Sequence, residues 1–380
     1  MIPYSKQHID QNDIDAVIET LKSDYLTVGP KVPEFEKVLA DYCDVRFVCV
    51  MNSATSALHL ACLALGVQNG DMVWTSPNSF VASSNCALYC KADVDFVDID
   101  LQTFNMCPQK LEQKLEEYIK LGKKLPKVVI PVHFAGLSCD MIAIKKLADK
   151  YGFKIIEDAS HALGGEYNNK KIGCCEFADI AIFSFHPVKM ITTAEGGAIC
   201  TNNREFHNKM QLLRSHGLVR DKNLMLENHG DWYYEQQYLG YNYRMTEIQA
   251  ALGISQMKKL NSFVNKRNEL ATYYDNNLPI KHQEFDKNLY ISSYHLYVIQ
   301  VEANKRKELF DKLRSNDIYA QIHYIPIYWQ PYYKDLGFKK GLCPNAEIYY
   351  SQTISIPLYY TLTKEEHNKV MSLILSYANI

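Results

Sequence analysis

A chain of 380 residues, 47% hydrophobic and 22% charged, is long enough for about two globular domains at roughly 150 residues each. Its 41 basic and 43 acidic residues leave a formal charge of −2, which excludes the strong positive field that gathers nucleic acid or an anionic membrane surface. No run reaches the ~18 consecutive apolar residues of a membrane span, and the first ten residues are polar, so a cytoplasmic protein with no membrane partner is expected.

In chain order, an arm at 4–29 carries one short helix over 13–22 and a loop at 25–30. Seven β-rich runs follow, at 45–50, 72–75, 94–98, 128–132, 154–156, 179–183 and 197–200. Most are separated by segments of helical spacing, such as 54–65, where Leu58, Ala61, Cys62 and Leu65 share a face, and 141–150. This alternation predicts an α/β fold, with a mostly parallel sheet covered on both faces. From about residue 255 the pattern becomes a long amphipathic stretch over 256–274, a strand at 295–301, a helix around 305–315 and a Tyr/Pro-rich segment at 319–333. The chain therefore divides into 1–255, an arm plus a large domain, and 256–380, a smaller α+β domain. Eleven cysteines, an odd count, sit at spacings such as Cys86/Cys90 and Cys174/Cys175 that match no zinc or disulfide framework. They read as reduced and mostly buried, with no metal expected.

Ligands of such sheets collect at the carboxyl ends of the strands, which directs attention to the loops after each run. SFHPVKMITTAEGG (184–197) leaves one strand and returns to another, carrying a single lysine, Lys189. A lone loop lysine is ordinarily a solvated one. IIEDASHALGG (155–165), however, is a second strand that ends in a carboxylate, Asp158, which alone reads equally well as a helix cap. Together they form the pair that pyridoxal phosphate chemistry requires. The cofactor is an electron sink only while its ring nitrogen stays protonated, and a carboxylate secures that proton by a charge-assisted hydrogen bond, about twice as strong as a neutral one. The lysine holds the cofactor covalently. MNSATSALHL (51–60) opens a helix with three hydroxyls, where backbone N–H groups and the helix dipole favour a phosphate. The ordinary alternative is a Ser/Thr cap. No GxxxxGKS/T loop occurs.

In this order and spacing the segments resemble the sugar aminotransferases of the DegT/DnrJ/EryC1/StrS family, over nearly the whole chain from Tyr4 onward. The likeness is carried by NSATSAL (52–58), EDASHAL (157–163), FSFHPVK (183–189), ITTAEGG (191–197), RSHG (214–217), GYNYRMTE (240–247) and HYIPIY (323–328). It implies fold type I, the aspartate-aminotransferase-like fold with a seven-stranded large-domain sheet, and pyridoxal 5'-phosphate as cofactor. It implies transfer of an amino group from L-glutamate to C4 of a UDP-linked 4-keto-6-deoxy-N-acetylhexosamine, the L-configured sugar of pseudaminic acid biosynthesis. Siblings that aminate the sugars of bacillosamine, legionaminic acid or perosamine stay open, as does a non-catalytic cofactor-binding regulator.

By the same resemblance, Lys189 holds the cofactor and moves the proton, and Asp158 meets the ring nitrogen. Phe80 stacks on the ring, unless it is a core phenylalanine. Thr55, Ser56 and Ser184 lie at the phosphate, joined by Asn242 from a neighbouring subunit, so that a homodimer shares its active sites. His161 sits near the ring hydroxyl, as a further catalytic candidate. Tyr4, Leu26, Thr27, Val28, Gly29, Gln321, His323 and Tyr324, with Ser56, Ser184 and Asn242, contact the nucleotide-sugar. Arg214, Arg220 and Arg244 are open candidates for the amino donor. Relatives that dehydrate instead carry a histidine at the lysine position, which Lys189 argues against.

Overall fold

The computed structural model describes residues 1–378. Its centre is a seven-stranded sheet of β1 (Phe47–Met51), β2 (Met72–Thr75), β3 (Asp93–Phe96), β4 (Val128–Ile130), β5 (Lys154–Asp158), β6 (Ile180–Ser184) and β7 (Gly197–Thr201), in the order β1-β7-β6-β5-β4-β2-β3. Only β7 runs against its neighbours; the other pairings are parallel. All seven expected runs are strands; β2 has the expected bounds and the others differ by one or two residues at one or both ends.

Successive side chains of a strand point to opposite faces, and here both faces are buried. Cys49, Val73, Val128, Ile156, Ile180 and Ile199 meet one apolar layer. Their sequence neighbours Val48, Val50, Ala181, Ala198 and Cys200 meet a second, and Trp74, Val129 and Ile155 a third. That is why most of these strands read as continuous apolar runs, whereas the edge strand β3, with Asp93 and Asp95 alternating with Val94 and Phe96, does not. Helices α1 (Gln11–Leu21) and α2 (Lys31–Cys43) precede the strands, α3 (Ala54–Ala64), α4 (Ala82–Tyr89), α5 (Pro108–Lys120) and α6 (Met141–Tyr151) separate the first five, and α7 (Arg204–Arg214) follows the last. α3 and α4 cover the first face, α5 and α6 the third layer, and α2 the second.

The amphipathic stretch expected over 256–274 proves to be two helices, α8 (Glu247–Met257) and α9 (Leu260–Asn277). α8 starts earlier than the apolar pattern suggested because Thr246 and Gln249 form a reciprocal cap there. α9 begins in the core of the large sheet with Leu260, Phe263 and Val264 and ends in a separate core with Leu270, Ala271 and Tyr274. That second core surrounds an antiparallel pair, Tyr297–Gln300 with Thr353–Ile356, and includes Ile2, whose short strand Ile2–Pro3 runs along Ile318–Tyr319. The arm is pinned at a second point. Asp13, fully buried in α1, accepts hydrogen bonds from Ser255 Oγ (2.7 Å), Gln256 Nε2 (2.8 Å) and Lys259 Nζ (2.5 Å).

All eleven cysteines are free thiols, nine of them buried. Among the described residues no helix is long and apolar enough to cross a membrane.

Candidate active site

The carboxyl ends of β1, β2, β5 and β6 share one edge of the sheet with the start of β7, so the loops that follow them converge. Asp158 is the last residue of β5, and it is buried. Its backbone is tied on both sides, N–H to Pro131 O (3.0 Å) and C=O to His133 N–H (3.0 Å). Its carboxylate accepts from Ser83 Oγ at 2.6 Å and from Ser160 N–H at 3.2 Å.

The Lys189 loop is braced against movement. Phe185 N–H bonds to Gly196 O, Thr193 N–H and the Thr192 hydroxyl both bond to Phe185 O, and Ser5 Oγ reaches in from the arm to Val188 O at 3.1 Å. Lys189 itself is half-buried. Burial, only partly opposed by the charge of Asp158, lowers its amine to a pKa of about 8. A cation that sheds its proton near neutral pH is what a nucleophilic lysine needs.

Three histidines lie around that amine. His161, His295 and His323 are buried, and burial together with the Lys189 charge pushes all three below the usual imidazole range, His323 to about 3. His161 Nδ1 accepts from Ala135 N–H at 3.3 Å, so the neutral ring carries its proton on Nε2, which lies 3.5 Å from the Tyr324 hydroxyl. The His161 and His295 rings pack 4.3 Å apart. His323 pairs through Nδ1 with Ser355 Oγ at 2.8 Å and stands 5.0 Å from the half-buried Tyr4 ring.

The start of α3 forms a cradle. Gly197, paired with both Met51 and Ser184, lies so close under the helix that a Cβ there would stand 2.5 Å from Ala54 N. No side chain fits in that place, and the half-buried Thr55 and Ser184 flank it. Ser56 differs from them: it is buried, and its hydroxyl is engaged with Asn52 Oδ1 (2.7 Å) and the cap residue Ser53 (2.9 Å). An anion-binding helix start, a buried carboxylate and an amine of lowered pKa on one sheet edge form the donor set that a phosphorylated pyridine aldehyde requires, so these residues fit that cofactor.

Other expected site residues lie farther out. Phe80 is 61% exposed, which removes the reading of it as a core residue and leaves its ring free. Asn242 is exposed, with its backbone oxygen 3.5 Å from Asn52 Nδ2. Leu26, Thr27 and Val28 are exposed, and with Gly29 they dock on the start of α8, where Glu247 N–H bonds to Leu26 O at 3.1 Å. Gln321 is exposed and held by backbone pairing with Ser355. Arg214 is committed to structure, bonding to Glu36 and Val50 O at 2.6 Å each. Arg220 lies over the Tyr234 ring, while Arg244 bridges to the Met51 backbone.

The sequence reading passed over Ser83, His295 and Arg267. Ser83 stands three residues after Phe80 in a run of ordinary hydroxyls, and His295 and Arg267 come from elements whose nearness to the site depends wholly on the tertiary fold.

The chain is 42% identical to the UDP-4-amino-4,6-dideoxy-N-acetyl-beta-L-altrosamine transaminase of Campylobacter jejuni strain 81-176, covering 99% of this chain and 97% of that protein. Among solved structures, Helicobacter pylori PseC, an aminotransferase involved in the biosynthesis of pseudoaminic acid, matches with a TM-score of 0.88 at 35% identity, over 99% of this chain and 98% of that one. Spr1654 of Streptococcus pneumoniae, assigned as a sugar aminotransferase and solved in its PMP form, matches with a TM-score of 0.91 at 30% identity, over 100% and 99% of the two chains. The model of the DegT/DnrJ/EryC1/StrS aminotransferase family matches residues 7–375, and the chain belongs to that family.

Proposed function

We propose that the protein moves an amino group from L-glutamate to C4 of the L-configured UDP-linked 4-keto-6-deoxy-N-acetylhexosamine, a step of pseudaminic acid biosynthesis. In this reading it works in the cytoplasm as a homodimer with shared active sites, and residues 1–255 and 256–380 are its two domains. The observation that carries the chemistry is the Lys189 amine, tuned to about 8 beside the buried Asp158 on the carboxyl edge of the sheet. The sugar is supported by the name of the Campylobacter relative and by PseC.

Pyridoxal 5'-phosphate is the cofactor, and when bound it supplies the electron sink that lets nitrogen leave an amino acid and enter a ketone. The side chains do the rest. Lys189 would hold the cofactor, and its amine of lowered pKa would take up and return a proton there, a task typically worth about 10²–10⁴-fold. Asp158 would face the ring nitrogen. Thr55, Ser184 and the first N–H groups of α3 receive the phosphate, and Asn242 reaches the equivalent phosphate of a second copy. Phe80 covers one face of the ring. His161, neutral and protonated on Nε2, offers a hydrogen bond without adding a second positive charge beside Lys189. Tyr4, His323, Tyr324, Gln321 and the loop Leu26 to Gly29 form the side from which the nucleotide-sugar enters.

The test is spectroscopic. Protein loaded with pyridoxal phosphate is converted with L-glutamate, freed of donor, and given a panel of UDP- and GDP-linked 4-keto sugars. Return of the visible cofactor band only with the L-configured UDP sugar is the expected result. Return with another sugar moves the substrate to a sibling reaction, and no return with any sugar rejects the amination itself.

A further inference from the structure

Asp158 Oδ2 receives the Ser83 hydroxyl at 2.6 Å, and Oδ1 receives only the longer 3.2 Å contact from Ser160 N–H. Ser83 is 1% exposed, and Ser79, whose Oγ lies 2.8 Å from that of Ser83, is 5% exposed. An ionised carboxylate only accepts, so the Ser83 proton belongs to Asp158 and the Ser83 oxygen is left to accept from Ser79. The order Ser79 to Ser83 to Asp158 is thereby set. A buried O–H···O⁻ bond of this length belongs to the stronger class of protein hydrogen bonds. The same turn carries Phe80, whose carbonyl accepts from Ser83 N–H at 3.3 Å just as α4 begins. One short segment therefore supports both the exposed aromatic ring and the buried carboxylate.

We propose that Ser83, oriented by Ser79, is the positioning residue of Asp158, fixing the rotation of the carboxylate that faces the cofactor's ring nitrogen. The proposal rests on the reading of Asp158 as the partner of that nitrogen. In this proposal Ser83 acts through Asp158. The titratable groups that feel the Asp158 charge are Lys189, Tyr324 and Cys139, and none of them is hydrogen-bonded to it among the described residues.

The experiment uses the full chain with Ser83→Ala, Ser83→Thr, Ser79→Ala and Asp158→Asn. It reads retention of pyridoxal phosphate on dialysis, the pH midpoint of the visible cofactor band, and kcat and KM separately. Ser83→Ala is expected to shift the midpoint, weaken retention and lower kcat by about tenfold or more, the usual size for losing a hydrogen bond to a charged group. KM for the sugar should stay near the parent value. Ser83→Thr, which keeps the hydroxyl, should restore all three readouts, and Ser79→Ala should show a smaller loss in the same direction. If Ser83→Ala behaves as the parent while Asp158→Asn is defective, this proposal is overturned alone. If Asp158→Asn is also unaffected, the reading of Asp158 falls with it. Should Ser83→Ala fail to fold, Ser83→Cys, of similar shape and weaker donation, is expected to be partly defective, and parent-like behaviour would overturn the proposal equally.

Discussion

The loop that carries Lys189 and the helix α9 that carries Arg267 each bring one cation to the same buried histidine, His295. Their surroundings differ. Arg267 is buried, and its guanidinium donates to the carbonyls of Tyr294 (3.1 Å), His295 (3.3 Å) and Leu358 (2.7 Å) and to Ser5 Oγ (3.4 Å). Burial lowers its pKa only to about 10, so it stays charged at neutral pH. Lys189 feels burial and the charge of Asp158, and its pKa drops to about 8. Fixed carbonyl dipoles hold a charge in place without a counter-ion, whereas a desolvated amine without them is poised to release its proton. The first arrangement suits a structural strut between the arm and the second core. The second suits a nucleophile.

The most severe way to break this contrast is Lys189→Arg, which keeps the charge but puts a group that cannot deprotonate in the loop. Turnover should fall at least about 10³-fold while the fold persists, since the proton-transfer role alone is worth that order. Turnover within tenfold of the parent would mean the amine is not the working group.

Next in size is Arg267→Met. It leaves three buried carbonyls without their donor and should cost about 2–5 kcal/mol of stability, measured by urea unfolding. Arg267→Lys should recover only part of that, because one ammonium nitrogen cannot occupy both the Nη1 position that meets the carbonyls and the Nη2 position that meets Ser5 Oγ. A loss too small to measure would show that the carbonyl cage is incidental.

The three histidines sharpen the same point through pH. Their folded pKa values lie below the ordinary unfolded value, so below about pH 6.5 the unfolded chain binds more protons than the folded one. Their neutral-state contribution is therefore complete above that pH and is lost as pH falls, by up to about 1.4 kcal/mol per pH unit for each histidine. Unfolding midpoints at pH 7.5, 6.5 and 5.5 should fall in that order. His295→Asn should flatten the slope, and an unchanged slope would count against a neutral His295.

The smallest expected effect is a titration. In cofactor-free protein, Asp158→Asn removes the anion that raises the Lys189 pKa, so the amine should titrate below about 8. The pH dependence of amine labelling measures this, and an upward shift would contradict the assigned electrostatics.

Much of the architecture was legible from residues alone. Most of the seven strands were readable because each is a short apolar run buried on both faces, and the edge strand β3 because Val94 and Phe96 alternate with acidic residues. Lys189 and Asp158 were readable because each holds a fixed place relative to a strand end. The amphipathic stretch after 255 was placed late at its start, since the Thr246 cap lies outside the apolar period. Phe80 was ambiguous between core and site until its exposure was seen.

By itself, then, the sequence determined the strands and the residue types at their carboxyl ends, because those depend on local periodicity and on groups adjacent along the chain. Only the tertiary structure decided which distant groups meet there. Ser83 reaches Asp158 across 75 residues, and Ser5 braces the Lys189 loop across 183. His295 and Arg267 arrive from beyond the large sheet. Such contacts follow from strand order and helix packing, and no local pattern in the chain encodes either.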